Sequence, residues 1–285
     1  MKLELLNIKY LNNINQRQKI RAKLIEETSF NLSRSDLKHI KFYEGFDFTS
    51  AIINNRVYRF PKNKDSVKKM QSEYEVLKFL KNKINLPVPS FIKTKTKNNF
   101  VFYKEILGSD FTPNYYKKLT ERQKNILCRD LVGFLNQVHG LSLPKKIKKD
   151  LPKENWIKIY LQIKKDILKY LGRSEEYKIF LDLFKNLAYK KKTACLVHGD
   201  LSGDNIIIDK NNNKVSGIID FGDVRLSDSI VDFAPFWNFG REVVHKLAAM
   251  YTNDKAAQSQ ILLESNLYYC YTMINMAIIT LRKNK

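Results

Sequence analysis

The segment LVHGDLSGDN, residues 196–205, places an aspartate, Asp200, five residues before an amide, Asn205. Two glycines, Gly199 and Gly203, lie within it, and glycine lets a backbone turn sharply and approach a ligand closely. Apolar residues flank the polar core on both sides, as they do where short buried strands adjoin a loop. The segment therefore predicts a polar loop between two strands.

A hairpin is predicted directly after this loop. The runs NIIID (205–209) and VSGIID (215–220) are separated by a turn at three consecutive asparagines. Paired strands run side by side, so Asp220 is expected to return beside Asn205. A carboxylate free of metal can accept a proton from a hydroxyl, whereas an amide oxygen and a second carboxylate are hard ligands suited to Mg²⁺. This division of roles is that of phosphoryl transfer.

The spacing of these residues matches the catalytic loop of kinases, in which the base Asp precedes the metal-binding Asn by five residues and a DFG sequence follows. Here the sequence IDFG occupies residues 219–222. An HxDxxxxN pattern alone is weak, but its combination with IDFG across a predicted hairpin is specific. No activation segment before an APE motif is found, which argues against a protein kinase.

Composition indicates a globular protein. The chain has 285 residues, with 44% hydrophobic and 12% aromatic residues. This length favours two lobes, or one large domain with a cleft. The net charge of +22 comes from lysines scattered between Lys2 and Lys285, so no basic patch for nucleic acid is predicted. Residues 198–234 reverse the sign, with seven aspartates against three basic residues, which suggests a cation-binding site.

Localisation follows from the cysteines and the apolar stretches. Cys128, Cys195 and Cys270 are far apart with no CxxC spacing, which is typical of reduced thiols in a cytosolic protein. MKLELLNIKY has no apolar signal core, and the longest apolar stretch is too short to span a bilayer. We expect a soluble, cytoplasmic protein that does not bind membranes.

The two halves of the chain differ in pattern. Residues 42–60 predict a hairpin turning at Asn54 and Asn55, a helix follows to about residue 83, and a second strand pair, 91–96 and 100–106, turns at 97–99. Beyond residue 110 helices dominate, including one that begins with a Thr120–Gln123 capping box, and residues 226–283 are predicted to be helical. The fold class is α+β, with the lobes at 1–107 and 108–285.

The segments LVHGDLSGDNIIID, VSGIIDFGD and SDSIVDFA resemble the aminoglycoside phosphotransferases, enzymes with a protein-kinase-like fold, and are nearest to those that modify the 2″ hydroxyl. VYRFPK, EYEVL and LPVPSF extend the resemblance into the first half of the chain. It implies a nucleotide-binding N-terminal lobe and a catalytic C-terminal lobe. It also implies that Asp200 is the base, that Asn205 and Asp220 hold Mg²⁺, and that His198 is a structural hydrogen-bonding residue.

In the first lobe the resemblance implies the nucleotide contacts. Arg59 occupies the position of the usual strand lysine, and Glu73 is its expected partner. This departure from lysine changes the phosphate contact, because a planar guanidinium is not equivalent to an ammonium. The chain has no GxGxxG sequence, so EGFDFTS, which ends at Ser50, is expected to cover the phosphates. The segment 103–108 is the expected hinge, with Tyr103, Glu105 and Ile106 at the purine of GTP or ATP.

Aminoglycosides are polycations, so their pocket must offer carboxylates. The expected substrate residues are Asp223, Asp232 and Glu242, with Asp228 and Glu264 as weaker candidates. The alternative role of Asp232 is an N-terminal helix charge or a brace for the catalytic loop, and that of Asp223 is a cap of the next helix. Asp204 and Asp209 are expected to cap loops, and Trp237 and Tyr268 to lie in the core.

The leading hypothesis is a monomeric, Mg²⁺-dependent aminoglycoside O-phosphotransferase that uses GTP or ATP and confers antibiotic resistance. The alternative is a small-molecule kinase of the same fold, acting on choline, homoserine or a sugar. A nucleotide-binding pseudokinase or an RNA-binding protein forms a third class. The presence of Asp200, Asn205 and Asp220 argues against the pseudokinase, and the scattered lysines argue against RNA binding.

Overall fold

The computed structural model describes residues 17–25, 32–33, 35–93 and 100–283. Contacts divide these residues into two compact units. The first consists of residues up to Lys81 together with Pro89–Ile106, and the second of Asn82–Val88 and residues from Leu107 onward. The break after Ile106 lies one residue before the lobe boundary expected from the sequence.

The first unit is built on an antiparallel sheet in the order β1-β2-β3-β5-β4. Its elements are helix α1 (17–25), β1 (Lys41–Glu44), β2 (Phe48–Ile53), β3 (Arg56–Pro61), helix α2 (Lys64–Leu80), β4 (Ile92–Lys93) and β5 (Val101–Lys104). The β2–β3 hairpin turns at Asn54 and Asn55, as predicted, and both residues have positive φ, as a type I′ turn requires. The turn predicted at 97–99 lies outside the described residues.

Aromatic side chains form the core of this unit. Tyr58, Phe60 and Phe100 are buried together with Ile20 and Leu24 of α1. Helix α2 begins at the N-cap Asn63, whose side chain accepts a hydrogen bond from the Ser66 amide, and it buries Glu73 among its apolar residues. The strand face and the helix face that meet are therefore the faces that carry Arg59 and Glu73.

The second unit is mostly helical. Its helices are α3 (Pro113–Lys117), α4 (Glu121–His139), α5 (Lys145–Asp150), α6 (Trp156–Tyr170), α7 (Glu175–Tyr189), α8 (Ile230–Phe233), α9 (Arg241–Tyr251) and α10 (Lys255–Lys283). The predicted capping box at Thr120 and Gln123 is present at the start of α4. Helices α6, α7, α8 and α10 share one apolar core around Trp156, Phe184 and Ile278.

Two small sheets support the polar loop in this unit. The first has the order β6-β8-β9, formed by Ser109–Asp110, Ile206–Asp209 and Lys214–Ile218, and the second pairs β7 (Cys195–Val197) with β10 (Arg225–Ser227). The expected helix over residues 226–283 is wrong at its beginning. Leu226 and Ser227 lie in β10, because their backbone pairs with Leu196 and Cys195.

Residues 82–88 cluster with the second unit although the sequence suggested the first lobe. The Asn85 amide donates to Gln137 Oε1 at 2.9 Å, and the Ile218 amide donates to the Pro87 carbonyl at 3.0 Å. The α+β class is confirmed: one unit is a small antiparallel sheet with one main helix, and the other is larger and mainly helical.

Candidate active site

The polar loop is held in shape by the side chain of Asn205. Its Nδ2 donates to the Asp200 carbonyl at 2.8 Å, to Asp200 Oδ2 at 3.1 Å and to Ser202 Oγ at 3.3 Å. The Ile219 amide donates to the Asn205 carbonyl at 2.9 Å. Because the amide nitrogen faces Asp200, Oδ1 is the Asn205 atom suited to binding a cation.

Asp220 lies one residue beyond Ile219 and therefore close to this loop. Its φ of 60° is left-handed, and it precedes a 3-10 helix at Phe221–Asp223. Residues other than glycine adopt this conformation rarely, with Asp and Asn favoured among them, and such positions cluster at functional sites. The side chains of Asp200, Asp220 and Asp223 are all exposed.

The charges of these three carboxylates act on one another. Although the Asp200 side chain is exposed, the surrounding protein removes part of its hydration and so raises its pKa. The negative charges of Asp223 and Asp220 raise it further, whereas the hydrogen bond from Asn205 lowers it. A carboxylate whose pKa is raised accepts a proton more readily than an ordinary aspartate. The loop and the hairpin therefore bring Asp200, Asn205 and Asp220 together, as the sequence predicted.

His198 is a structural residue of the loop, as expected. It is fully buried. Its Nε2 donates to the Ile219 carbonyl at 3.0 Å, and its Nδ1 accepts from the Asp200 amide at 3.3 Å. One neutral tautomer satisfies both bonds. His198 thus fixes the start of the catalytic loop to the end of the hairpin.

Asp232 requires a correction. The sequence suggested it as a substrate contact, but its side chain is fully buried. It accepts from the His198 amide (2.9 Å), the Gly199 amide (2.9 Å) and His139 Nε2 (3.0 Å). Burial alone would raise the pKa of Asp232, but the hydrogen bonds from His139 and Gly199 lower it. Asp232 therefore fixes the backbone of the loop, which is the brace role that the sequence also allowed.

The remaining acidic candidates fall into two groups. Asp223 and Glu242 are exposed and can meet a ligand. Asp228 pairs with Lys192 at 3.1 Å, and Glu264 pairs with Lys190 at 2.5 Å and Lys192 at 3.6 Å, so their charges are matched within the protein.

Of the residues expected to cap or to pack, Asp209 and Tyr268 have those roles, whereas Asp204 is exposed. Asp209 caps the hairpin turn by accepting from the Asn211 amide at 2.9 Å. Tyr268 is buried, and Trp237 is half-buried and donates to Ser265 Oγ at 3.0 Å.

In the first unit Arg59 and Glu73 form a buried ion pair. Arg59 Nη1 lies 2.5 Å from Glu73 Oε1, and the two side chains are 5% and 0% exposed. The guanidinium also stacks on Phe48, with Cζ 4.3 Å from the ring centroid. The predicted pairing is present, and it is not a surface pair. A buried, charge-assisted pair fixes the direction of the guanidinium.

The segment EGFDFTS, residues 44–50, is tied to the neighbouring lysines. Lys62 Nζ donates to the Gly45 carbonyl at 2.6 Å, and Lys69 Nζ lies 2.6 Å from Asp47 Oδ2. Ser50 is half-buried and pairs across the sheet with Arg59. Cross-strand partners share a face of the sheet, so Ser50 and Arg59 are on the same side, as phosphate contacts would need to be.

The expected hinge is partly committed to the sheet. Tyr103 is buried in β5, 5.4 Å from Phe91 between ring centroids. The Glu105 amide donates to the Asn55 carbonyl at 2.8 Å. That N–H is therefore engaged within the protein. The groups of this segment that can still contact a purine are the Glu105 carbonyl and the backbone of Ile106.

Three functionally placed residues were not identified as such from the sequence. His139 binds Asp232, while Arg225 and Glu154 lie behind Gly199. Arg225 Nη1 donates to the Gly199 carbonyl at 3.3 Å, and Arg225 Nε lies 3.3 Å from Glu154 Oε1. These contacts join positions 26 to 93 residues apart, so no local sequence spacing predicts them.

A model of the phosphotransferase enzyme family matches residues 41–260. The chain belongs to this family. The match covers both units, including the Arg59–Glu73 pair and the loop around Asp200. This protein is accordingly a phosphotransferase enzyme.

Solved structures agree with the kinase-like fold of this phosphotransferase. The GDP complex of wild-type aminoglycoside 2'-phosphotransferase-IIIa superposes with a TM-score of 0.80 at 20% identity, covering 93% of each chain. The gentamicin complex of APH(2″)-IIa gives a TM-score of 0.70 at 23% identity, covering 89% of this chain and 92% of that one. A macrolide 2'-phosphotransferase type I gives 0.63 at 18% identity, covering 93% and 92%. At these identities the likeness establishes the fold.

Among the described residues of the phosphotransferase, no three His, Cys, Asp or Glu side chains converge as a metal-binding group. Mg²⁺ does not need such a group, because at phosphate-transfer sites it is held by one or two carboxylates, substrate phosphates and water. The chemistry of Asn205 Oδ1 and the Asp220 carboxylate fits this requirement. Within the same residues, no helix has the length and apolar character needed to cross a membrane.

Proposed function

We propose that this phosphotransferase transfers the γ-phosphate of GTP or ATP to a hydroxyl group, the 2″ hydroxyl, of kanamycin- or gentamicin-type aminoglycosides and thereby confers resistance to them. The observation that carries the proposal is the convergence of Asp200, Asn205 and Asp220 on one loop and one hairpin. We assign nucleotide binding to residues 1–107 and catalysis to residues 108–285.

Asp200 is the proposed base. Its raised pKa allows it to take the proton of the acceptor hydroxyl as the oxygen attacks the phosphorus. The hydrogen bond from Asn205 to Asp200 Oδ2 orients the carboxylate. The interactions of His198 and Asp232 with the backbone at residues 198–200 hold the base at a fixed position, which is the main requirement for this reaction.

Asn205 and Asp220 would hold Mg²⁺ through their side-chain oxygens. When bound, the ion would neutralise the negative charge on the phosphate oxygens. In the first unit, Arg59, positioned by Glu73, would contact the phosphates, with Ser50 beside it on the sheet. Of the segment from Tyr103 to Ile106, the Glu105 carbonyl and the Ile106 backbone would contact the purine. The preference between GTP and ATP is not set by these groups.

The acceptor would lie on the second unit. A cavity of about 540 Å³ has Arg225 in its wall, next to the loop that carries Asp200, and it is lined further by Glu154, Asp166, Tyr271 and Asn275. This volume is within the range of small-molecule pockets, about 300–1,000 Å³. Asp223 and Glu242, both exposed, would add the negative charge that a polycationic drug requires.

One observation favours the second candidate, a kinase for a smaller alcohol such as choline, homoserine or a sugar. The two carboxylates of the cavity are already paired within the protein: Glu154 with Arg225 at 3.3 Å and Asp166 with Arg282 at 2.5 Å. Lys153 and Lys158 also line it. A pocket with this charge has less net attraction for a molecule that carries several ammonium groups.

Purified protein should be incubated with Mg²⁺ and GTP or ATP across a panel of kanamycin, gentamicin, a macrolide, choline, homoserine and simple sugars. Nucleotide consumption identifies the acceptor, and NMR of the product identifies the phosphorylated oxygen. We expect turnover with kanamycin and a phosphate on the 2″ oxygen. Turnover with choline, homoserine or a sugar alone would establish the second candidate, and turnover with none of the panel would refute both.

A further inference from the structure

A second cluster contacts the catalytic loop at the Gly199 carbonyl, whereas Asp232 contacts it at the Gly199 amide. Arg225, at the start of β10, donates from Nη1 to the Gly199 carbonyl at 3.3 Å and to the Asp223 carbonyl at 2.9 Å. These carbonyls belong to the residue before Asp200 and to the last residue of the FGD turn. One guanidinium group therefore joins the two backbone segments that carry Asp200 and Asp220.

The guanidinium is itself fixed from the other side. Its Nη2 donates to Tyr268 Oη at 3.0 Å, and its Nε lies 3.3 Å from Glu154 Oε1. Tyr268 Oη in turn donates to Glu154 Oε1 at 3.1 Å, and Ser227 Oγ donates to the second Glu154 oxygen. These bonds place the Arg225 guanidinium in a polar network. Nε is the exception, because among the described residues it has no hydrogen-bond partner although Glu154 is close to it.

The network is inside the protein and retains its charge there. The Arg225 side chain is 16% exposed and that of Glu154 is 8% exposed. Burial alone would lower the pKa of Arg225, but Tyr268 and Glu154 raise it above its ordinary value. An arginine that stays charged next to a carboxylate gives a rigid fork with directed N–H groups, which a lysine cannot reproduce.

Gly199 fits closely against this fork. It has a φ of +86°, and a Cβ atom there would collide with Arg225 Nη1 and the Asp223 carbonyl. Its amide is bonded to Asp232 Oδ1 at 2.9 Å and its carbonyl to Arg225. The residue before the base is thus held from both sides, by a buried anion at its N–H and by a buried cation at its C=O.

We propose that Arg225, backed by Glu154 and Tyr268, is a positioning residue that sets Asp200 and Asp220 in register for phosphoryl transfer. The expected effect of Arg225 on kcat rests on the proposed function. Its expected effect on the conformation of the loop at residues 198–205 does not. It also makes α10, which carries Tyr268, a support of the catalytic loop. A ligand in the cavity lined by Arg225 and Glu154 would contact this support directly.

The first test is kinetic. Arg225→Lys retains the charge but cannot bridge the two carbonyls, so kcat should fall about 10- to 100-fold, the effect of losing charge-assisted hydrogen bonds, while the KM for nucleotide stays within about threefold. Tyr268→Phe removes one supporting hydroxyl and should lower kcat by less than about tenfold. Arg129→Lys is the control, since Arg129 is an exposed residue of α4 whose Nε donates to the Asn125 carbonyl at 3.3 Å, and it should leave kcat unchanged.

A chemical rescue separates positioning from general stability. Arg225→Ala opens a space on the cavity, and millimolar guanidinium should restore part of its kcat, whereas it should not activate the wild type or Arg129→Lys. If Arg225→Lys retains wild-type kcat, or if its loss is accounted for entirely by a lower melting temperature and is accompanied by an equal loss of nucleotide affinity, the positioning role is wrong.

The second test needs no substrate. Hydrogen–deuterium exchange of the backbone amides in residues 198–205 should speed up at least about threefold in Arg225→Lys and remain unchanged in Arg129→Lys, since local opening follows the loss of local bonds. If exchange is faster in Arg225→Lys while the wild type phosphorylates none of the acceptors, the positioning role of Arg225 is supported and the proposed function is refuted. Unchanged exchange would refute the brace whether or not the protein is active.

Discussion

The two units hold their candidate functional residues in different ways. In the first unit a single ion pair, Arg59 with Glu73, is fixed by packing between a strand and a helix. In the second unit the loop around Asp200 is fixed by a network of hydrogen bonds from several separate elements, among them His139, Asp232 and Arg225. A group that binds a phosphate tolerates small displacements, whereas a group that moves a proton does not.

This difference explains where the buried polar groups lie. His198 and Asp232 are fully buried, and both are bonded to the backbone of the loop. Most buried polar groups in proteins are hydrogen-bonded. The second unit thus stabilises a loop shape, and the first stabilises one side-chain direction. The predictions below test that contrast, beginning with the largest expected effect.

Asp200→Asn removes the proposed base without changing its shape. We expect kcat to fall about 10²- to 10⁴-fold, the usual contribution of a general base, with the KM for nucleotide nearly unchanged. Steady-state kinetics with the best acceptor would measure both. The matched control is Asp204→Asn, an exposed residue of the same loop, which should behave as wild type.

The raised pKa of Asp200 also predicts how stability and kcat/KM change with pH. Because the pKa of Asp200 is raised in the folded state, folding favours the protonated form of its carboxyl group. The stability contributed by this group is present below the pKa of the unfolded state and is lost as the pH rises through the pKa of the folded state. At neutral pH, Asp200→Asn should therefore raise the melting temperature while abolishing turnover. In the wild type, kcat/KM should rise with pH and then level off. The midpoint of the rise should be above the ordinary aspartate pKa of about 3.9. A lower melting temperature for Asp200→Asn would contradict this sign.

Asp232→Asn tests the brace under the loop. Three N–H groups point at this carboxylate, and an asparagine must turn its own donors towards at least one of them. We expect the free energy of unfolding to fall by about 2–4 kcal/mol, together with a loss of kcat. Chemical denaturation measures the first quantity and initial rates the second.

Asp228→Asn is its control. This variant removes a carboxylate of the same segment that pairs with Lys192 and has no bond to the loop. Because the Lys192 and Asp228 side chains are 9% and 14% exposed, it should lower the free energy of unfolding by about 1–3 kcal/mol and leave kcat unchanged. Equal losses in both variants would mean that Asp232 acts only through the fold.

Arg59→Lys tests the first unit. An ammonium keeps the charge but loses the directed fork and the stacking on Phe48. We expect the KM for GTP or ATP to rise about tenfold with a smaller change in kcat, the opposite pattern to Asp200→Asn. Arg56→Lys, an exposed position on the same strand, is the control. A change confined to kcat would show that Arg59 positions the reacting groups and not the nucleotide.

Sequence reasoning found the parts of the site that are close along the chain. Asp200 and Asn205 lie within one loop, and the hairpin turn fixes where Asp220 returns, so spacing alone predicts their meeting. Arg59 and Glu73 were identified from the family resemblance, on a strand and the helix after it.

The supports of the loop could not be found in this way. His139 reaches Asp232 across 93 residues, and Arg225 reaches Tyr268 across 43, and no periodicity encodes such contacts. Asp232 illustrates the limit: an aspartate in an acidic region suggests a cationic ligand, yet burial under three N–H groups makes it a part of the scaffold. Charge can be counted from a sequence, but whether a charge meets solvent depends on packing.

The smallest expected effects concern the acceptor. Glu242→Gln and Asp223→Asn each remove one exposed carboxylate, and exposed charge pairs contribute roughly 0.2–1 kcal/mol. The KM for kanamycin should therefore rise about two- to fivefold at low salt, less at high salt because ions screen the attraction, with the KM for nucleotide unchanged. Glu175→Gln, an exposed carboxylate on α7, should have no effect. A KM for kanamycin that depends on neither residue would place recognition of the drug in the cavity lined by Tyr271 and Asn275, where hydroxyl and amide groups are recognised by hydrogen bonds more than by charge.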